Sequence, residues 1–309
     1  MTALRSGRGP RERTSLTPPR LVRFPSERDA LEYATRSMVF SGDGGTVWRA
    51  WGPPEDPAPI GVEREGDRWK ITSYGRGPRE ARAAVRAIFS LDHDLASFYR
   101  LVRREPVLRG TERRFRGVRQ PRDASLYEAL LDAVIGQQLS VEVARRLRER
   151  LLERTHAFLE VEGLRLPIAP TPGAIESLGP DGLRALGLSR AKSAALLGLA
   201  DGQRRGRFAP GRFAVWTREE AIERLDEERG VGRWTAENAL LRGLGRTDLF
   251  VAGDLGLRVA LERFGALPRQ ASEKSARRWA DRWYPGWGSY ATIYLWHRLV
   301  RDARTEPPG

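Results

Sequence analysis

Residues 225–254 read LDEERGVGRWTAENALLRGLGRTDLFVAGD. Two glycines, Gly230 and Gly232, flank the apolar Val231 between a charged helical run at 218–228 and a second helix at 233–244. Glycine lets two helices meet at a tight angle with backbone N–H groups exposed. The first N–H groups of the second helix lack intrahelical partners and sit at the positive end of its dipole, so the turn can hold an anion such as a phosphate. Taken alone, a Gly-x-Gly fits an ordinary αα turn better. The stretch ends on one acid, Asp254, after the small apolar loop Val251-Ala252-Gly253. Asp254 stands where an N-cap for a helix at 255–265 belongs, a role worth about 1 kcal/mol. Spacing alone favours that structural role over chemistry.

Working outward, apolar residues recur at helical spacing throughout 91–301. Helices are predicted at 92–102, 125–135, 141–154, 171–179, 180–186, 189–202, 272–283 and 287–301, beside those already named. Ser140 is a cap, Thr171-Pro172 is a start signal, and Thr217 to Glu220 is a capping box. Residues 103–122 form a basic connector. Gly136-Gln137-Gln138-Leu139 interrupts the helical run. No strand is predicted in 91–301, which reads as an all-α domain.

Residues 21–90 alternate apolar and polar positions, as at 45–51 and 67–74, between turn clusters such as SGDGG and EREGD. That pattern predicts an antiparallel sheet, with helices at 26–38 and 78–90. The predicted class is an α+β N-terminal domain (21–90) followed by an all-α domain (91–301, hairpin at 229–232). A disordered basic tail at 1–20 and a short tail at 302–309 complete the chain.

The net charge of +14 over 309 residues suggests a polyanionic partner, because a basic surface gains free energy by releasing counterions from phosphates. Lysine occurs only at Lys70, Lys192 and Lys274; every other basic side chain is arginine. With no cysteine, disulfides, thiol catalysis and cysteine-ligated metal centres are excluded. His93, His156 and His297 lie too far apart in sequence for a metal-ligand motif, so no side-chain metal site is expected. No apolar run approaches the roughly 18 residues of a membrane span, and no secretory signal is visible. No membrane association is expected, and a cytoplasmic, nucleoid-associated monomer is anticipated.

The opening stretch, with LYEALLDAVIGQQLSVEVARRL at 126–147 and LDHDLASFYRLVRREPVLRGTERRFRG at 91–117, resembles the helix-hairpin-helix glycosylase superfamily. Within it, the 3-methyladenine DNA glycosylase II branch is the nearest in pattern. The resemblance covers about residues 90–300 and extends weakly to the N-terminal sheet domain. It implies a DNA glycosylase acting on double-stranded DNA with damaged bases. The hairpin, with Gly230, Val231, Gly232, Arg233 and Thr235, would hold a phosphate. Asp254 falls on the catalytic aspartate, which stabilises an oxocarbenium-like sugar or activates water.

The resemblance also places Trp234 and Trp296 at aromatic positions of the base pocket, although each taken alone reads more readily as a core residue. Tyr290 and Trp287 are further wall candidates, equally plausible in the core. Asn238 stands where a relative has a pocket tyrosine. Gln138 occupies the position of the wedge that fills the gap left by a flipped base, with Leu139 as alternate; Gln137 and Gln138 could instead cap the broken helix ends. Bifunctional relatives carry a lysine where this chain has Trp234, which implies a monofunctional, water-using enzyme without lyase activity. Gly253 stands where relatives often have a second acid. No organic cofactor is implied; a monovalent cation on hairpin carbonyls is carried over from relatives. Arg145, Arg242, Arg246 and Arg258 are candidate phosphate contacts, and Lys192 is expected to face solvent or phosphate. The alternatives are a glycosylase for oxidised or deaminated bases and a non-catalytic DNA-damage binder.

Overall fold

The computed structural model describes residues 11–16, 38–40 and 45–305. Its N-terminal part is a five-stranded antiparallel sheet in the order β1-β5-β4-β3-β2. The strands are β1 (Arg11–Leu16), β2 (Met38–Phe40), β3 (Thr46–Trp51), β4 (Ala58–Glu65) and β5 (Arg68–Tyr74). Helix α1 (Pro78–Ile88) lays Ala81, Ala84, Val85 and Ile88 against Val47, Ile60, Val62, Trp69 and Ile71. The period-2 pattern in the strands and the helical spacing in α1 thus meet in one apolar layer.

The helical part follows as α2 (Leu95–Val102), α3 (Thr111–Arg114), α4 (Leu126–Gly136) and α5 (Val141–Thr155). After a β-hairpin come α6 (Pro172–Ala185), α7 (Arg190–Arg204), α8 (Pro210–Phe213), α9 (Arg218–Asp226) and α10 (Arg233–Ala239). A π-helical turn, Leu240–Leu244, extends α10. The chain closes with α11 (Leu255–Arg263), α12 (Glu273–Trp283) and α13 (Gly288–Thr305). Helix α4 is the hub. Between Leu126 and Ile135 only Asp132 escapes full burial, and α4 packs on α5, α7, α10 and the π turn. Side-chain caps from Ser125, Ser140, Thr171, Ser189, Thr217 and Ser272 start the helices that follow them, as the sequence predicts at Ser140, Thr171 and Thr217. Gly179, at φ 60° and ψ −178°, breaks α6 into the two expected segments.

Three expectations change, and one falls outside the described residues. Residues 11–16, assigned to a disordered tail, form edge strand β1, paired with β5 from Arg11↔Tyr74 to Leu16↔Trp69. The ladder needs only backbone groups, so RERTSL carries little side-chain signal of it; Arg68 adds a 2.8 Å hydrogen bond to Ser15 Oγ. The helix expected at 26–38 lies outside the described residues except for Met38, which opens β2. The domain read as all-α contains a hairpin, β6 (Phe158–Val161) and β7 (Leu164–Pro167). Its turn residues Glu162 and Gly163 both have positive φ, the geometry that suits a two-residue hairpin. These strands form because Leu159, Val161 and Leu166 find Trp48 and Ala50 on the second face of the large sheet. Finally, residues 302–305 continue α13 instead of forming a tail.

A buried ionic junction ties the sheet to the helices. Arg49 of β3 lies 3.3 Å from Glu128 and 3.7 Å from Asp123. Arg148 of α5 pairs with Glu128 at 3.2 Å and Asp132 at 2.8 Å, and Arg242 of the π turn grips Asp123 at 2.9 Å. Burial pushes the Asp123 carboxyl up, but the guanidinium groups of Arg242, Arg49 and Arg148 outweigh it and hold the group below its ordinary range. Among the described residues no helix is long and apolar enough to cross a membrane.

Candidate active site

The hairpin is built as a rigid turn. Glu220 completes the capping box that starts α9. Val231 is 3 % exposed and plugs the turn into the core. Gly230 has φ +80°, and a Cβ there would stand 2.7 Å from the Ala195 Cβ, so both backbone conformation and close approach require glycine. Gly232 caps α10 without a side chain, leaving the first-turn N–H groups without intrahelical partners.

The side chains of this turn already have partners within the protein. Arg233 pairs with Glu219 at 2.8 Å and Glu237 at 3.0 Å, and Thr235 is buried, its hydroxyl accepting a 2.8 Å bond from Gln137. The four arginines named as phosphate contacts are likewise engaged. Arg145 meets Glu142 and Glu149, Arg242 meets Asp123, Arg246 meets Asp248, and Arg258 meets Glu273 and the Ala252 carbonyl. Nearby carboxylates neutralise them, a pairing that the sequence shows only where acid and base share one helix.

Asp254 caps α11. Its Oδ1 accepts from the Leu257 N–H at 2.8 Å and from Trp296 Nε1 at 3.5 Å, the outer limit of a hydrogen bond. The carboxylate is half-buried. The loop before it is fastened to one face of α13. Leu249 N–H donates to Ser289 Oγ at 3.2 Å and Val251 N–H to Thr292 Oγ1 at 3.4 Å, so Ser289, Thr292 and Trp296 follow each other at helical spacing. Arg258 adds its 3.1 Å bond to the Ala252 carbonyl. Ser289 and Thr292 are absent from the sequence reading, although small polar side chains three and four apart before Trp296 are a visible signal.

Trp234 reaches the same place from α10. A Cβ built on Gly253 would lie 3.0 Å from the Trp234 Cβ and 3.2 Å from its Cδ1. The indole therefore lies across the residue preceding Asp254, where a second acid would displace it. Asn238, one turn after Trp234, shares its face of α10 and is half-buried. Asp254, Trp234, Trp296 and Asn238 thus come from α10, α11 and α13. Leu255, 67 % exposed, and Val259 one turn on present an apolar edge beside them that the sequence reading overlooks.

Tyr290 is not part of this group. It is fully buried, bonds His93 Nδ1 at 2.9 Å and packs on Phe98 and Trp287. Though it lies on the same helix as Trp296, Tyr290 points a different way because six residues separate the two, well off a whole number of turns. Trp287 turns to the same aromatic core, and His297 stacks near Phe115. The helix break presents Gln138 in the left-handed region at φ +54°, exposed, followed by Leu139 at 38 % exposure. Lys192 is half-buried, and its ammonium donates to the carbonyls of Ile135 and Gln137. A groove along α5 lined by Arg146, Glu149, Arg150 and Glu153 shares no residue with the site. Among the described residues no group of three or more His, Cys, Asp or Glu forms a metal-ligand set.

Comparison with known proteins gives this geometry a family. The chain is 29 % identical to a DNA-3-methyladenine glycosylase of Bacillus subtilis over 211 residues, 68 % of this chain and 69 % of that one. It is 33 % identical to DNA-3-methyladenine glycosylase 2 of Escherichia coli over 189 residues, 59 % and 60 % of the two chains. The solved structure of a 3-methyladenine DNA glycosylase from Archaeoglobus fulgidus superposes with a TM-score of 0.76 at 26 % identity, covering 93 % of this chain and 98 % of that one. A family model described as HhH-GPD superfamily base excision DNA repair protein matches residues 131–285, from within the hub helix to just past α12. The chain belongs to the HhH-GPD superfamily of base excision DNA repair proteins.

Proposed function

We propose that this protein is a monofunctional DNA glycosylase that hydrolyses the N-glycosidic bond of alkylated purines, of the 3-methyladenine kind, in double-stranded DNA. The reading rests above all on the convergence of Asp254 with Trp296 and, across Gly253, with Trp234. The similarity to 3-methyladenine glycosylases in both sequence and structure supports the substrate class.

In this reading the first-turn N–H groups of α10 take a backbone phosphate, a contact that positions the duplex without reading its sequence. The damaged base leaves the stack, and Gln138, with Leu139 beside it, fills the gap. Trp234 and Trp296 offer electron-rich faces, which favour a positively charged alkylated base by about 0.5–2 kcal/mol. Asn238 adjusts which bases fit. As the base departs, positive charge develops on the sugar, and the Asp254 carboxylate stabilises it and orients the attacking water. Oδ1 is engaged by the Leu257 N–H and the Trp296 indole, so Oδ2 is the oxygen turned to this task.

Trp234 occupies the position where an amine nucleophile would be needed, and Lys192 is committed to two carbonyls. The expected product is therefore free base and an intact abasic strand. No organic cofactor enters this chemistry. A monovalent cation would bind hairpin carbonyls; the Gly230 oxygen already accepts from Gln137 but keeps a second lone pair, so the turn is compatible with one. Such an ion would strengthen the positive field at the phosphate.

The test is incubation of alkylated duplex with wild-type protein and Asp254→Asn, assaying free base, abasic sites and borohydride-trapped adducts. Base release by the wild type, with loss in the variant and no trapped adduct, is expected. Equal release by both proteins overturns the role of Asp254, and trapping overturns the monofunctional reading.

A further inference from the structure

The helix break and the hairpin are separated by about ninety residues, yet one helix holds both. Helix α4 ends at Gly136, leaving its last carbonyls without intrahelical donors. Lys192, in the first turn of α7, donates to the Ile135 carbonyl at 2.8 Å and the Gln137 carbonyl at 2.7 Å. Three residues on, Ala195 of the same helix receives Gly230 of the hairpin at a distance no larger residue tolerates. Gln137 closes the circuit: its amide donates to the Gly230 carbonyl and to Thr235 Oγ1, each at 2.8 Å. The next residue, Gln138, is held exposed with positive φ. Such a conformation persists in a non-glycine residue when its surroundings over-determine it.

We propose that Lys192 is a positioning residue that fixes Gln138 relative to the hairpin, so that seating a phosphate on the hairpin presents Gln138 to the base stack. This rests on the glycosylase reading above and adds to it the part that couples DNA grip to base extrusion. A cation at a helix C-terminus is favourable in itself. Lys192 does more than cap, because the second carbonyl it holds belongs to Gln137, whose side chain reaches the hairpin. Burial draws its ammonium below the ordinary lysine range, consistent with an amine taken partly out of water to hold these two oxygens.

The test compares Lys192→Met with Lys192→Arg, which can reach the same carbonyls. Gln137→Leu, which cuts the next link, serves as a second variant if the methionine protein does not fold. Single-turnover base release is measured on a paired alkylated purine and on the same lesion in a mispair, which opens at lower cost. Unstacking is read separately from a 2-aminopurine placed beside the lesion.

On the paired lesion, loss of the tether is expected to slow release by about tenfold to a hundredfold, the scale of a misplacement near 1 Å. Release from the mispair should change far less, arginine should restore most of the loss, and unstacking amplitude should fall with release. Equal losses on paired and mispaired lesions would show a general structural role and overturn the proposal, as would no loss on either. If the wild type releases no base from any substrate, the glycosylase reading fails instead. The 2-aminopurine comparison of wild type and variant still decides whether Lys192 controls unstacking.

Discussion

Carboxylates at two places in this molecule meet very different partners. At the junction of sheet and helices, Asp123 and Glu128 are buried and surrounded by Arg49, Arg148 and Arg242. At the candidate site Asp254 is half-buried, with its two hydrogen bonds both on Oδ1. The junction carboxylates are saturated, and their energy is committed to holding α4, α5, β3 and the π turn in one arrangement. Asp254 is fixed in place by local capping through Oδ1, which leaves Oδ2 for the role proposed above. The contrast teaches that partners, more than burial, decide whether a carboxylate is left with an oxygen to offer a ligand.

The largest expected effect tests the working side of that comparison. Asp254→Asn preserves an N-cap, because asparagine caps about as well as aspartate. Base release should fall by about a thousandfold, the scale of removing one preorganised electrostatic contact, while the urea midpoint barely moves. A variant that unfolds more readily in proportion to its lost activity would make Asp254 a structural acid after all.

The junction should answer in the opposite sense. Arg242→Met leaves the buried Asp123 carboxylate without its bidentate partner, and should cost about 3–5 kcal/mol of stability by urea titration. Base release per folded molecule should stay within a small factor of wild type. A large loss of activity without loss of stability would mean that the junction also serves the site.

Acid sharpens the comparison through His93. Burial, then the charges of Arg119 and Arg122, pushes its imidazole down to about 4. The unfolded chain, with a value near 6.5, therefore binds the proton first as pH falls. Stability is full above about pH 6.5 and declines through about pH 4, with a total near 3 kcal/mol at 1.36 kcal/mol per unit. Unfolding curves at pH 7, 5.5 and 4.5 should show this loss in wild type and a smaller one in His93→Gln. The smallest effect concerns Tyr290. Tyr290→Phe removes the bond to His93 and should cost about 1 kcal/mol. It should leave the range of excised bases unchanged, whereas any shift in that range would return Tyr290 to the pocket wall.

Much of this protein is decided within a few residues, and that part the sequence determined alone. The caps at Ser140, Thr171, Thr217 and Asp254 each bond an N–H three positions ahead, so a short window contains both partners. The helical period of α4, the glycine pair of the hairpin and the break at Gly136 are equally local. The resemblance added roles to Asp254, Trp234 and Trp296 that spacing could not supply. Tertiary structure decided the rest, because the partners lie far apart along the chain. Strand β1 exists through a backbone ladder to β5, and the hairpin β6–β7 through Trp48 and Ala50. His93 draws Tyr290 into the core from 197 residues away. Aspartate and glutamate from other elements capture Arg233 and Arg242, and α4 captures Lys192. A sequence displays which groups carry charge; only the fold determines which of those charges have already met their partners.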